Sequence, residues 1–271
     1  MMKKPENIIS IQIIEKAKEF GASLAGIASV EALKKSPSYL IYGKLNDYNT
    51  VGNKESNKIR LGEVAWPDNS KSAIIIAVEH PVEKPEMDWW KEGYSGGTPG
   101  NHILIFINSK LLEWLKKEKG IEANPLPYHI ERGGIFLKDT AVMAGLGCIG
   151  KNNMLVTPEY GPRVRFRVIL TAELLTCTDP IDFDPCEDCS MPCRNICPKK
   201  AFHKKIYSEE EFGLDHLPAR TGLYSKYLCN EQMELDEKSY EEIKIENVDK
   251  QGKLVKYCRA CELACPLGKT N

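Results

Sequence analysis

Apolar residues at Ile9, Ile13, Ala17 and Phe20 recur at helical spacing and are followed by Gly21, which predicts an amphipathic first helix with a glycine stop. Ala22 to Ala28 then reads as a short strand. Residues 33–70 are rich in Lys, Asn and Ser and hold no sustained period, so a long surface excursion with short helical pieces is expected. Ala73-Ile-Ile-Ile-Ala-Val78 is apolar at every position, too short for a helix and bounded by polar turns; such a run predicts a central strand covered on both faces. The Pro- and Gly-rich segment from Glu79 to Gly100 carries Trp89, Trp90 and Tyr94 and predicts a loop with aromatic anchors that pack it onto the core, ahead of a lid over a ligand. Ile103, Ile107, Leu111 and Leu115 form one stripe of a helix from His102 to Lys119, which ends in lysines that suit the helix dipole and stops at Gly120.

After Glu131-Arg-Gly-Gly134 the pattern predicts a helix through Lys138, then the glycine turn Ala144-Gly-Leu-Gly-Cys-Ile-Gly-Lys-Asn152. A dinucleotide loop of the G-x-G-x-x-G type must follow a strand and open a helix, whereas here a helix precedes and a strand follows, so that reading fails on context. Met154 to Thr157 and Arg163 to Leu170 are expected strands around the turn Pro158-Glu-Tyr-Gly161. The second alternates Arg163, Arg165 and Arg167 with Val164, Phe166 and Val168, giving one basic face. A solvated edge is the expectation for that face, ahead of a contact to a phosphate or an acidic partner.

Charge narrows the picture by exclusion. The 271 residues carry 37 basic against 38 acidic side chains, which gives no general argument for nucleic acid or a membrane surface. The longest apolar run falls far short of the roughly 20 residues a membrane helix needs. Met1 to Asn7 is polar and no secretory signal pattern follows, so a cytoplasmic, reducing compartment is expected. Ten cysteines in such a compartment point to metal rather than to disulfides.

Eight of those cysteines carry the chemistry. Cys186, Cys189, Cys193 and Cys197 form a C-x2-C-x3-C-x3-C-P run, one residue longer in the middle than the usual bacterial iron–sulfur spacing. Cys258, Cys261 and Cys265 half repeat it, again closing on a proline, and Cys229 stands between the runs. Zinc also takes C-x2-C pairs, but it gives no reason for two Cys-Pro endings. Two [4Fe-4S] clusters are the reading. In two-cluster ferredoxins the last cysteine of a run ligates the other cluster, which assigns Cys186, Cys189, Cys193 and Cys265 to one and Cys197, Cys229, Cys258 and Cys261 to the other. Cys148 and Cys177 lie outside the set and read as small buried thiols.

Taken together, the stretch Glu131 to Asn152, the Pro158-Glu-Tyr-Gly161 turn, the two Cys-Pro runs and Cys229 resemble the epoxyqueuosine reductase family, whose larger relatives are the reductive dehalogenases. The resemblance covers most of the chain. It implies an α+β architecture: a nitroreductase-like α/β domain holding cobalamin, over residues 1–175, and a ferredoxin-like two-cluster domain over residues 176–271. It implies Gly147, Cys148, Gly150, Lys151 and Asn152 against the corrinoid, the glycines by close backbone approach and Lys151 and Asn152 as donors to its amide side chains. The cobalamin motif Asp-x-His-x-x-Gly is absent, in keeping with the family habit of leaving cobalt without a histidine ligand.

Where the family holds a catalytic aspartate, the proposed proton donor, this chain has Glu131. The helical-repeat extension of the full-length tRNA-modifying enzymes does not follow Pro266, which with the balanced charge leaves tRNA doubtful as a partner. The expected function is therefore a corrinoid-dependent reductase. A ferredoxin or flavodoxin would feed it, and a small molecule or modified nucleoside would be its substrate. The competing expectation is a non-catalytic electron carrier that reduces a partner such as a corrinoid protein; the roughly 175 residues upstream of the cysteines argue for a real pocket.

Overall fold

The structure, a computed structural model, describes residues 8–42, 66–128, 136–212, 218–245 and 251–268. Its first half is built on α1 (Ile8–Glu19), β1 (Leu24–Ser29), α2 (Val30–Leu33), α3 (Pro37–Tyr42), β2 (Ser72–Glu79), β3 (Trp90–Lys91) and α4 (Pro99–Lys119). Then come β4 (Ala123–Pro125), α5 (Leu137–Met143), β5 (Cys148–Ile149), β6 (Leu155–Val156) and β7 (Val164–Thr171). The cysteine-bearing end contains α6 (Pro192–Asn195), α7 (Glu209–Phe212), α8 (Lys226–Lys238), β8 (Glu241–Lys244), β9 (Gln251–Val255) and α9 (Ala260–Leu263). The architecture is mixed α+β, with small antiparallel sheets.

The apolar run singled out in the sequence is β2, inner strand of a four-stranded sheet of order β1-β2-β7-β4. Successive strand side chains point to opposite faces, and here both faces are dry. Ala73, Ile75 and Ala77 pack with Val168, Leu170, Ala141 of α5 and Ala144 at its C-cap. Ile74, Ile76 and Val78 pack with Ile13 and Ala17 of α1 and with Leu104, Ile107, Leu111 and Leu115 of α4. Each fully buried isoleucine contributes about 1.5–3 kcal/mol of transfer free energy, so this strand is the energetic centre of the domain.

Helix α4 begins three residues before the expected start at His102, because Thr98 caps it: its Oγ1 accepts from the Asn101 amide at 3.1 Å, and Pro99 follows at the first helical position. Gly120 ends it in the left-handed conformation, with Lys116, Lys117 and Lys119 in the last turn. The Trp-rich segment is anchored rather than lid-like. Trp90 pairs with Val255 and Lys91 with Leu254 across β3 and β9, and the Lys256 ammonium sits 4.4 Å from the Trp89 ring centroid. A segment of the first half thus completes a sheet, β3-β9-β8, with the last strands of the chain.

Candidate metal and cofactor site

Two one-turn helices, α6 and α9, pack against each other, and each is followed by a Cys-Pro pair. Around them the eight thiols fall into two groups. Burial pushes the Cys193 thiol up to about 11, and the nearby thiolates of Cys265, Cys186 and Cys189 push the same way. Cys261 is pushed up to about 12, first by burial and then by Cys229, Cys258, Glu262 and Cys197. Burial also raises Cys265, with Cys186 and Cys189 adding, and Cys229, with Cys197 and Cys258 adding. Each group therefore draws from both runs of the sequence. Backbone amides already face two of the sulfurs, Met191 N–H donating to Cys189 Sγ at 3.4 Å and Ala201 N–H to Cys197 Sγ at 3.3 Å.

Among the described residues no three His, Cys, Asp or Glu side chains converge as ligands of a single ion do. Crowded thiolates without a cation raise one another's pKa, so each group fits a cationic inorganic centre that would take thiolate ligands.

Two buried cations stand beside the first group. Arg163 is 2% exposed; its Nη1 donates to the Cys265 carbonyl at 3.4 Å and its Nη2 to the Leu267 carbonyl. Arg194, 8% exposed, donates to the carbonyls of Lys151 at 2.7 Å and Ala219 at 2.8 Å and to Thr221 Oγ1 at 3.2 Å. Neither is paired with a carboxylate among the described residues.

The second cysteine run is fastened to the sheet by an ion network. Glu262, 2% exposed between Cys261 and Cys265, lies 2.8 Å from Arg165 and 2.6 Å from Arg259; Asp88 lies 2.8 Å and 2.6 Å from the same two guanidiniums. His80 Nδ1 stands 2.9 Å from Asp88, and Arg259 donates to the His80 carbonyl at 3.2 Å. Burial lowers the His80 pKa, so the ring is held neutral. The expectation of a solvated basic edge on β7 is corrected here: β7 is an inner strand, Arg163 and Arg165 reach the cysteine-bearing end, and Arg167 donates from Nε and Nη2 to Asn101 Oδ1 at 3.1 Å and 2.9 Å.

The glycine turn forms the hairpin β5–β6, and the structure brings it against the first cysteine run. Lys151 Nζ donates to the Glu187 carbonyl at 3.0 Å, and Arg220 bridges the Ile149 carbonyl and Asp184. Burial raises Cys148, whose charged neighbours include Arg220 and Cys186. The glycines are needed for the protein's own packing: a Cβ at Gly147 would meet the Val156 carbonyl, and one at Gly150 would come within 2.7 Å of Asn152 Oδ1 and of Val156. Asn152 is buried and accepts from Met154 N–H at 3.2 Å. Glu131 lies outside the described residues. Sequence reasoning missed Asp88, Arg194, Arg259 and Glu262. Arg194, Arg259 and Glu262 had a visible signal, a charged side chain set between two ligand-spaced cysteines; Asp88 had none.

No family model matches the chain. A protein of Lactococcus garvieae named epoxyqueuosine reductase is 27% identical over 209 residues, covering 74% of this chain and 53% of its own length. A 64-residue stretch, 22% of this chain, is 42% identical to the tetrachloroethene reductive dehalogenase of Sulfurospirillum multivorans, of which it covers 13%. Among solved structures, an epoxyqueuosine reductase with an epoxyqueuosine-modified tRNA-Tyr stem loop superposes with a TM-score of 0.61 at 19% identity, covering 96% of this chain and 65% of that one. The fold is therefore of the class that epoxyqueuosine reductases adopt. In sequence as in fold the chain is thus similar to epoxyqueuosine reductases, and it spans about half the length of the Lactococcus garvieae relative.

Proposed function

We propose that the chain is an oxidoreductase that passes electrons through two [4Fe-4S] clusters to a cobalamin, which reduces a small molecule or a modified nucleoside. In this reading residues 1–175 are the nitroreductase-like cofactor and substrate domain and residues 176–271 the ferredoxin-like one. Cys186, Cys189, Cys193 and Cys265 hold one cluster, and Cys197, Cys229, Cys258 and Cys261 the other. The observation that carries the reading is the crossed grouping of the eight thiols, each set of four drawing from both runs. The names of the relatives, reductases in each case, favour an enzyme over a bare electron carrier. A modified nucleoside stays within the substrate class because a structural neighbour was solved with one on a tRNA stem loop.

Bound cobalamin supplies a strongly nucleophilic, reduced metal centre, the kind of hard chemistry a cofactor carries while the protein orients and insulates it. The protein's part is separate. Arg163 and Arg194 supply positive charge against a cluster that is anionic in both redox states. The network of Asp88, Arg165, Arg259 and Glu262 holds the second cysteine run on β7, which fixes the distance over which electrons travel. Gly147, Cys148, Gly150, Lys151 and Asn152 form the rim beside the first cluster, and Glu131 is the acid that delivers a proton to the product. A ferredoxin or flavodoxin is the donor.

Anaerobic reconstitution of the full chain followed by metal, sulfide and absorption analysis tests this. About eight iron and eight sulfide per chain are expected, together with a change in the cobalamin spectrum on mixing. Stoichiometric zinc without sulfide overturns the cluster reading; full clusters with no cobalamin bound turn the protein into an electron carrier.

A further inference from the structure

The two groups of thiols sit in unequal electrostatic surroundings. The first is flanked by Arg163 and Arg194, both buried and both bonded only to carbonyls and a hydroxyl among the described residues. A third guanidinium, Arg220, is matched by Asp184. Glu187 and Asp188 lie within the first run but are exposed, where water and salt screen them. The second group has Lys138 and Lys226 near Cys229. Against these stand Asp139, next to Lys138, and Asp236, whose Oδ2 accepts from the Cys258 amide at 2.7 Å. Glu262, beside Cys261, is balanced by Arg165 and Arg259. The first group thus faces two unmatched buried positive charges, while around the second the signs nearly cancel.

Reduction adds one negative charge to a cluster. A fixed cation nearby favours the reduced form, and in a low-dielectric interior the effect is strong. Resting on the two-cluster reading above, we propose that Arg163 and Arg194 set the reduction potential of the cluster held by Cys186, Cys189, Cys193 and Cys265 above that of the cluster held by Cys197, Cys229, Cys258 and Cys261. Electrons delivered by a low-potential one-electron carrier then enter at the second cluster and come to rest at the first. Transfer of one electron from the second cluster to the first oxidises the second and reduces the first, and no bond is made or broken. The first cluster is also the one beside the hairpin that carries Cys148 and Lys151, so the accumulated electron stands next to the proposed cofactor rim.

The test is an equilibrium redox titration of the reconstituted full chain with dithionite, followed by electron paramagnetic resonance, after iron and sulfide have been measured. Cys197→Ser, which alters only the second group, assigns the signals. In the unmodified chain the first cluster is expected to reduce at the higher potential. Arg163→Met lowers that potential and leaves the other in place, Arg163→Lys restores most of it, and Asp236→Asn raises the second. Reversed order in the unmodified chain overturns the proposal, even if Arg163→Met fails to load iron. An unchanged or raised first potential in a loaded Arg163→Met protein overturns it as well. Absence of iron and sulfide from the unmodified chain removes the cluster reading itself, and this inference with it.

Discussion

Replacing Glu262 by Gln tests whether the buried network fastens the last cysteine run to the sheet. The substitution keeps the side-chain volume and one acceptor oxygen but removes the charge that lies 2.8 Å from Arg165 and 2.6 Å from Arg259. All the partners are largely buried, Arg165 at 21% and Arg259 at 11% side-chain exposure. Removing one member of such a buried pair costs about 3–5 kcal/mol, because the remaining charge is left without compensation. Here Asp88 still reaches both guanidiniums, so the loss belongs at the lower end, about 3 kcal/mol, or roughly a hundredfold in the folded-to-unfolded ratio. The urea midpoint of the iron-loaded chain, followed anaerobically by circular dichroism, should fall with its slope unchanged. Amide exchange should rise over residues 259–267. Combination with Asp88→Asn should be strongly non-additive, since both carboxylates serve the same arginines. A stability change below about 0.5 kcal/mol, the range of an ordinary surface substitution, would show that the network is incidental to docking.

Glu131→Gln should leave iron, sulfide and cobalamin content unchanged while slowing turnover by roughly 10²- to 10⁴-fold, the usual weight of general acid catalysis; wild-type turnover would remove Glu131 from the mechanism. His80 carries a pH signature. Its folded pKa is lowered by burial while the unfolded ring titrates near 6.5, so the unfolded state takes up the proton first. Stability should therefore fall as pH drops below about 6.5, by up to about 1.4 kcal/mol per pH unit; denaturation curves of His80→Gln across this range should lack that component. Ile75→Ala, fully buried in β2, should cost about 2–5 kcal/mol, and a smaller loss in the urea midpoint would mean that the site collapses around the cavity.

The main elements of the core were legible in the sequence because they follow local rules. The glycine stops at Gly21 and Gly120, the uniformly apolar β2 and the α4 stripe at Ile107, Leu111 and Leu115 each declare themselves within a few residues, although Leu104 and not Ile103 is the buried position at the head of that stripe. What escaped was set by long-range pairing. Nothing near Trp90 announces that it pairs with Val255, and no periodicity says that Asp88 meets Arg259. The arginine alternation on β7 was visible, but whether it faced water or protein depended on the cysteine-bearing end folding back over it. The glycine turn was read for ligand approach, whereas the space at Gly147 and Gly150 is taken by Val156 and Asn152; a sequence shows that a Cβ is unwelcome without showing what replaces it.

The crossed grouping of the cysteines has a bearing on biosynthesis. Cys265 completes one set of four, and Cys258 and Cys261 complete the other, so neither set is whole until synthesis has passed the second cysteine run. Residues before Cys197 can build the central sheet while translation continues, since β1, β2, β4 and β7 all lie there. The thiols of the first run must then wait, reduced and exposed to stray metals and oxidants, for partners from the far end. On the two-cluster reading proposed above, metal loading follows the folding of the sheet, and the demand on thiol protection falls in the interval between synthesis of Cys197 and arrival of Cys265.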